Sequence, residues 1–339
     1  MEVTGGFALP VTDPSGPGEL RRRVTALAQA LRFGETDVGR AALAATEAAT
    51  NLAKHARGGG VVIVRPCGRG DARGVELLAV DRGPGIRSMN DALRDGFSTA
   101  GSPGTGLGAL SRVSDEFDLF SSAEQGTVLL ARVWAADPGP ADVALSIGAV
   151  SVAKPGEQVC GDGWSSAHFD ARCLVVVADG LGHGPDAAAA SSAATRVFDE
   201  HAGEGPEALL ERMHAALRPT RGAAVAVADI DLAARTVRYA GVGNVAATVW
   251  APGESRSLVS HNGIVGHEMR KVQRFEYPLP PQALLVMASD GISTRWQLEK
   301  YAGLALRDPA VIAAVLYRDF CRGRDDATVV VAREVKPRA

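Results

Sequence analysis

The spacing of apolar residues separates the chain into two stretches, each mixing helix-type and strand-type signals. In the first, a short strand is followed by helical periodicity over 13–31 and 36–56, with Asp13 or Ser15 and Thr36 as the expected N-caps. Strand-like runs follow at 61–65, 75–81, 117–121 and 127–134, and a Gly-rich loop runs into a short helix at 106–113. Two helices on one face of an antiparallel sheet predict a sandwich.

A Pro/Gly/Asp cluster around 135–143 interrupts the pattern, so the expected organisation is a domain at 1–135, a linker at 136–142 and a second domain at 143–339. Beyond the cluster, apolar runs at 145–152, 174–178, 223–230, 237–242, 246–250, 284–288 and 328–332 alternate with helical patterns at 184–201 and 206–217. The fold class expected for both halves is α+β.

A length of 339 residues suits two cores, and a composition 46% hydrophobic and 22% charged is that of a globular chain. The net charge of −3 lacks the basic excess that phosphate-backbone binding requires, and aromatic residues are only 5%, so nucleic acid is not an expected partner. No apolar run is long enough to span a bilayer and no signal-peptide pattern opens the chain, which predicts a cytoplasmic protein with no membrane partner. The four cysteines have no C-x-x-C spacing and read as reduced thiols.

Candidate chemistry changes the picture in both halves. On the 36–56 helix, Glu47, Asn51, Lys54 and His55 share one arc, opposite Ala41, Ala45, Ala49 and Leu52. Taken alone, that arc is better explained as the solvated face of an ordinary amphipathic helix, and a turn explains the next motif as well as a binding role does. Asp81-Arg82-Gly83-Pro84-Gly85-Ile86 delivers a carboxylate at a strand end with glycines that permit close approach of a planar ring. Gly104-Thr105-Gly106-Leu107-Gly108 precedes a helix, where bare N–H groups and the helix dipole favour phosphate, although it is neither a Walker A nor a Rossmann pattern.

The order of these three motifs resembles the nucleotide boxes of the GHKL ATPase superfamily, and the stretches around Glu47–His55 and 104–134 look more specifically like the RsbT/RsbW-type serine kinases of bacterial sigma-factor regulation. The resemblance implies a GHKL α/β sandwich that binds ATP and Mg²⁺. Asn51 would carry the Mg²⁺, and Glu47 would accept the proton of the target hydroxyl. Asp81 would bind the adenine amino group beside Gly83 and Gly85, and Gly104, Thr105, Gly106 and Gly108 would wrap the phosphates. No role follows for Lys54 or His55.

In the second half, Asp179-Gly180-Leu181-Gly182-His183-Gly184 and Ser289-Asp290-Gly291 each follow an apolar run, Asp325-Asp326-Ala327-Thr328 precedes one, and Gly161-Asp162-Gly163 lies between two predicted strands, so that four acidic loci sit at strand edges. Any one Asp-Gly pair is explained by a turn. Four acidic loci brought together would repel unless cations neutralise them, and oxygen-only ligation suits Mg²⁺ or Mn²⁺. Two such ions about 3.5–4 Å apart favour phosphate-ester hydrolysis.

The set resembles the metal-dependent type 2C Ser/Thr phosphatases in their SpoIIE/RsbX branch, which implies a C-terminal α-β-β-α sandwich. Carried over, Asp162 and Asp179 share two Mn²⁺ or Mg²⁺ ions, with the Gly180 carbonyl, Asp290 and Asp325 completing the site and Asp326 orienting neighbours. His183 either protonates the leaving seryl oxygen or packs the turn.

Ser151-x-x-Lys154 lacks the partners of an acyl-enzyme, and His261 and His267 fit no zinc spacing. The combined resemblance implies a bifunctional regulator of a bacterial partner-switching stress response. It would phosphorylate and dephosphorylate a STAS-type protein, anti-anti-sigma or stressosome-like, upstream of a sigma factor or other regulator. Acting on one acceptor, the two activities would cycle ATP wastefully, which calls for separate substrates or a device that lets one site work at a time. In the alternative, the first domain is a non-catalytic ATP-dependent binding module and only the phosphatase is an enzyme.

Overall fold

The computed structural model describes residues 6–56, 58–86, 106–123, 125–139 and 143–335. They group into two units, Met1–Ala141 with Leu306–Arg318, and Asp142–Ala305 with Asp319–Ala339. The division differs from a simple cut at the linker because one later segment joins the first unit. That segment contains most of a helix, Pro309–Phe320, whose residues Pro309–Leu316 are all buried. Buried on every side, it shows no one-faced apolar stripe for a periodicity reading to find.

The first unit is an antiparallel sheet of β1 (Phe7–Val11), β2 (Gly60–Arg69), β3 (Ala72–Asp81), β5 (Gly126–Trp134) and β4 (Glu116–Ser122) in that spatial order. Against it lie α1 (Gly16–Ala30), α2 (Glu35–His55) and α3 (Gly106–Val113). Leu20 and Val24 of α1 and an alanine row of α2 (Ala41, Ala45, Ala48) pack on Val62, Val64, Leu77, Leu129 and Ala131. Small side chains on α2 let its backbone come close to the sheet and hold its polar arc at a fixed height.

Ser15 is the N-cap residue of α1, one of the two positions expected, but the second helix start differs from the expected cap. Ser15 precedes α1 without a side-chain cap, because the Asp13 carboxylate takes both its N–H (2.7 Å) and its hydroxyl (2.6 Å). The N-cap of α2 is Gly34, not Thr36, and Glu35 and Asp37 in its first turn complement the helix dipole.

Glu76 of β3 is 1% exposed and lies between Arg65 (2.5 Å) and Arg132 (2.7 Å). Burial opposes its ionisation, but the two guanidiniums overcome that and hold the carboxyl down to about 2. The sign is that of a depressed acid: the stabilisation is complete above the ordinary value near 4.5 and disappears as pH falls toward 2. Urea melts should show about 3 kcal/mol lost between neutral pH and pH 2 from this group alone. Glu76→Gln should remove that part of the pH dependence; an unchanged acid limb in the variant contradicts it.

The second unit stacks two antiparallel sheets. One has the order β13 (Phe275–Pro278), β10 (Thr236–Val242), β9 (Ala223–Asp231), β8 (Arg172–Gly180), β7 (Asp162–Phe169). The other has the order β12 (Glu254–Ser257), β11 (Ala246–Ala251), β14 (Leu284–Ala288), β15 (Ala327–Glu334), β6 (Leu145–Val152). Val175 and Val177 of β8 point into the core shared with Leu285, Met287 and Val330, whereas Leu174, Val176 and Ala178 meet Phe198 of α4 (Pro185–His201) and Leu209 and Met213 of α5 (Pro206–Ala216). Burial on both faces explains why β8 reads as an unbroken apolar run.

The apolar pattern does not predict β7, of which Asp162 is the first residue, at the strand edge expected for it. That strand carries Asp-Gly-Trp-Ser-Ser-Ala-His-Phe and sits at a sheet edge, where one side needs no apolar cover.

Candidate functional site

In the first unit, Glu47 and Asn51 lie one turn apart on α2 and face the first residue of α3. A Cβ at Gly106 would sit 2.8 Å from Asn51 Oδ1 and 3.4 Å from Glu47 Oε2, so only glycine lets the helix start this close to both. Among the described residues the Asn51 Nδ2 is buried without a hydrogen-bond partner, a costly arrangement unless a ligand engages the side chain. An amide oxygen facing a glycine-lined helix start suits a Mg²⁺-phosphate group.

Asp81 ends β3, and its Oδ1 accepts the N–H groups of Gly83 (2.6 Å) and Thr127 (3.3 Å). Burial pushes its carboxyl above the ordinary range, partly offset by those hydrogen bonds. Gly85 has φ +72°, and a Cβ there would lie 2.3 Å from the Ser122 carbonyl oxygen. Gly108 is buried within α3. Lys54 and His55 are exposed. Gly104 and Thr105 lie outside the described residues.

In the second unit, Asp162 and Asp179 are direct partners in the β7–β8 register. Gly180 ends β8, donating its N–H to the Gly161 carbonyl at 3.2 Å. Asp290 follows β14, and its N–H reaches Asp179 Oδ2 at 3.4 Å. Burial, then the neighbouring acids, pushes the carboxyls of Asp162, Asp179 and Asp290 upward, with Asp325 acting on both Asp179 and Asp290. Asp326 is turned inward: it is 3% exposed, takes the Lys154 N–H at 2.9 Å and leaves Oδ2 buried without a partner.

Among the described residues, no three His, Cys, Asp or Glu side chains already form a closed cation cage. Neighbours hold the oxygens instead: Ser289 Oγ donates to Asp162 (2.7 Å) and Asn244 Nδ2 to Asp290 (2.7 Å). Acids this crowded, with proton affinities raised by one another, gain most from a divalent cation, so the donor set fits one. Cys160 is a poor rival ligand, because burial and then Asp162 push its thiol up to about 12.

The comparisons with known proteins follow this geometry. Residues 12–133 match the histidine kinase-like ATPase domain, and residues 170–334 match the stage II sporulation protein E (SpoIIE) family. The serine/threonine-protein kinase RsbT of Bacillus subtilis is 39% identical over 108 residues, spanning 32% of this chain and 80% of RsbT. The chain belongs to the RsbT-type ATPase family and carries a SpoIIE-type phosphatase domain. The phosphoserine phosphatase RsbX of B. subtilis is 28% identical over 141 residues, or 41% of this chain and 71% of RsbX. A solved chain from work on the bacterial stressosome superposes with a TM-score of 0.52 at 27% identity, covering 56% of this chain and 99% of its own. This RsbT- and SpoIIE-type chain is therefore a partner-switching regulator with a kinase-like domain and a Ser/Thr phosphatase domain, both of mixed helix and sheet. No helix among the described residues is long and apolar enough to cross a membrane, which says nothing of β-barrels.

Three residues of the phosphatase site carried no legible signal. Asn244 sits in an ordinary Gly-Val-Gly-Asn turn, and Ser289 was visible only as the residue before an Asp-Gly pair. Glu157 lies in the loop before β7, with its Oε1 2.6 Å from His183 Nδ1, a partner 26 positions away.

Proposed function

We propose that this chain phosphorylates and dephosphorylates seryl or threonyl side chains of STAS-type partner proteins in the cytoplasm, with residues 1–135 as the kinase module and 143–339 as the phosphatase module. In the kinase module, Asn51 holds Mg²⁺ on the ATP phosphates, and Asp81 with Gly83 and Gly85 receives adenine. Gly104 to Gly108 encloses the phosphates, and Glu47 takes the proton of the attacking hydroxyl. The closeness of Gly106 to both Glu47 and Asn51 supports this, since it sets base and phosphate loop side by side.

In the phosphatase module, Asp162, Asp179, the Gly180 carbonyl, Asp290 and Asp325 hold two Mn²⁺ or Mg²⁺ ions. When bound, such ions would supply a hydroxide nucleophile at neutral pH and offset the charge of the phosphoryl group. Ser289 fixes Asp162, Asn244 fixes Asp290, and Glu157 orients His183, which gives a proton to the leaving seryl oxygen. The observation that carries the reading is the facing register of Asp162 and Asp179 with the Asp290 N–H on Asp179, which joins acids from three distant segments.

Incubation with ATP and a STAS protein, followed by mass, should show addition of one phosphate; Mn²⁺ with the isolated phosphoprotein should show its loss. Neither change on any STAS protein would overturn the assignment. Asn244→Ala should raise the Mn²⁺ concentration for half-maximal activity by about 10–100-fold, because Asp290 loses the group that aims it. An unchanged Mn²⁺ titration would remove Asn244 from the site.

A further inference from the structure

One cation beside the acidic site has no part in the account above. Arg221 lies just before β9, and the Leu181 N–H donates to the Gly222 carbonyl at 3.0 Å, tying this segment to the Asp179–Gly184 turn. Its Nη1 is 3.2 Å from where a Cβ on Gly182 would sit, and Gly182 has φ +93°. Gly182 is two residues beyond Gly180, so their α-carbons are no more than about 7 Å apart. The guanidinium thus stands over the turn that carries part of the metal site.

Its present partner is Asp186, in the first turn of α4, at 2.5 Å, with side chains 53% and 66% exposed. An exposed pair of this kind adds little to stability and opens readily. Nor does it serve the helix, because a cation at a helix N-terminus works against the dipole that Asp186 complements. Phosphomonoesters reach this site as anions and meet a cluster of carboxylates. A guanidinium at the rim offsets that repulsion and matches two phosphoryl oxygens with its fork of donors. His183, the other basic group on this turn, is already engaged by Glu157, and Arg322 and Arg324 act on the Asp290 side.

We propose that Arg221 is a substrate-binding residue of the phosphatase, leaving Asp186 to fork onto the non-bridging oxygens of the phosphoseryl or phosphothreonyl group. This rests on the phosphatase assignment. The test uses the full chain with Mn²⁺, p-nitrophenyl phosphate and a phosphoserine peptide as substrates, and inorganic phosphate as product inhibitor.

Arg221→Ala should raise KM for both substrates and Ki for inorganic phosphate by about tenfold, with kcat and the Mn²⁺ titration within about threefold of wild type. Arg221→Lys should recover part of the loss. Asp186→Asn, which frees the guanidinium, should not raise KM. An active wild type with KM and phosphate Ki unchanged in Arg221→Ala overturns the proposal alone, as does a fall in kcat with Ki unchanged. A wild type that hydrolyses neither ester overturns the phosphatase assignment and this proposal with it.

Discussion

Asp179→Asn should abolish phosphate release from a phosphoserine substrate while leaving ATP binding intact. Loss of an outer residue that merely aims a metal ligand costs about 10–100-fold, so removal of a carboxylate facing both Asp162 and Asp290 should exceed about a hundredfold. The same change has an opposite effect on stability. Burial and the neighbouring acids push the Asp179 carboxyl up to about 8, so in the metal-free fold its ionised form is disfavoured. With the folded value raised, the native state holds more protons than the unfolded chain between about pH 4 and 8, and stability falls as pH rises through that window. Thermal melts in EDTA at pH 8 should therefore show Asp179→Asn at least as stable as wild type. A variant that is inactive and also strongly destabilised would point to a structural role instead.

Glu47→Ala should lower phosphate transfer from ATP to a STAS protein by about 10²–10⁴-fold, the range for removal of a positioned general base. ATP affinity should stay close to wild type, because the residues proposed to grip the nucleotide are Asn51, Asp81 and the glycines around Gly106. Asn51→Ala should instead weaken Mg²⁺-ATP binding itself, and the contrast between the two variants separates base from binder. A Glu47→Ala chain that transfers phosphate at the wild-type rate would favour a domain that binds ATP and a partner without catalysing transfer.

Much of this was legible because each motif follows or precedes an element with a strong signal. Asp81, Asp179 and Asp290 stand at the ends of apolar strands, and the Glu47–Asn51 pair lies on an alanine-rich helix whose buried face repeats regularly. Other parts were hidden for physical reasons. The edge strands β7, β12 and β13 are polar or short, since solvent completes one side of each, so the period-2 signal is weak and the three strands go unpredicted. The helix Pro309–Phe320 is buried around its circumference and shows no stripe.

The partners that hold the site, Asn244 and Ser289 on the acids and Glu157 on His183, are ordinary polar residues outside the regular elements. Only folding reveals that Asn244 reaches an acid 46 positions away. Ser15 takes the expected cap position of α1, but its hydroxyl donates to Asp13 and so makes no capping bond to the helix.

The most direct measurement is phosphate release from a phosphoserine STAS protein by the full chain, first after exhaustive chelation and then with Mn²⁺ restored. Carboxylates gathered to hold a pair of cations predict no release in the first condition and full recovery in the second. Equal rates in both conditions would contradict that role for Asp162, Asp179, Asp290 and Asp325.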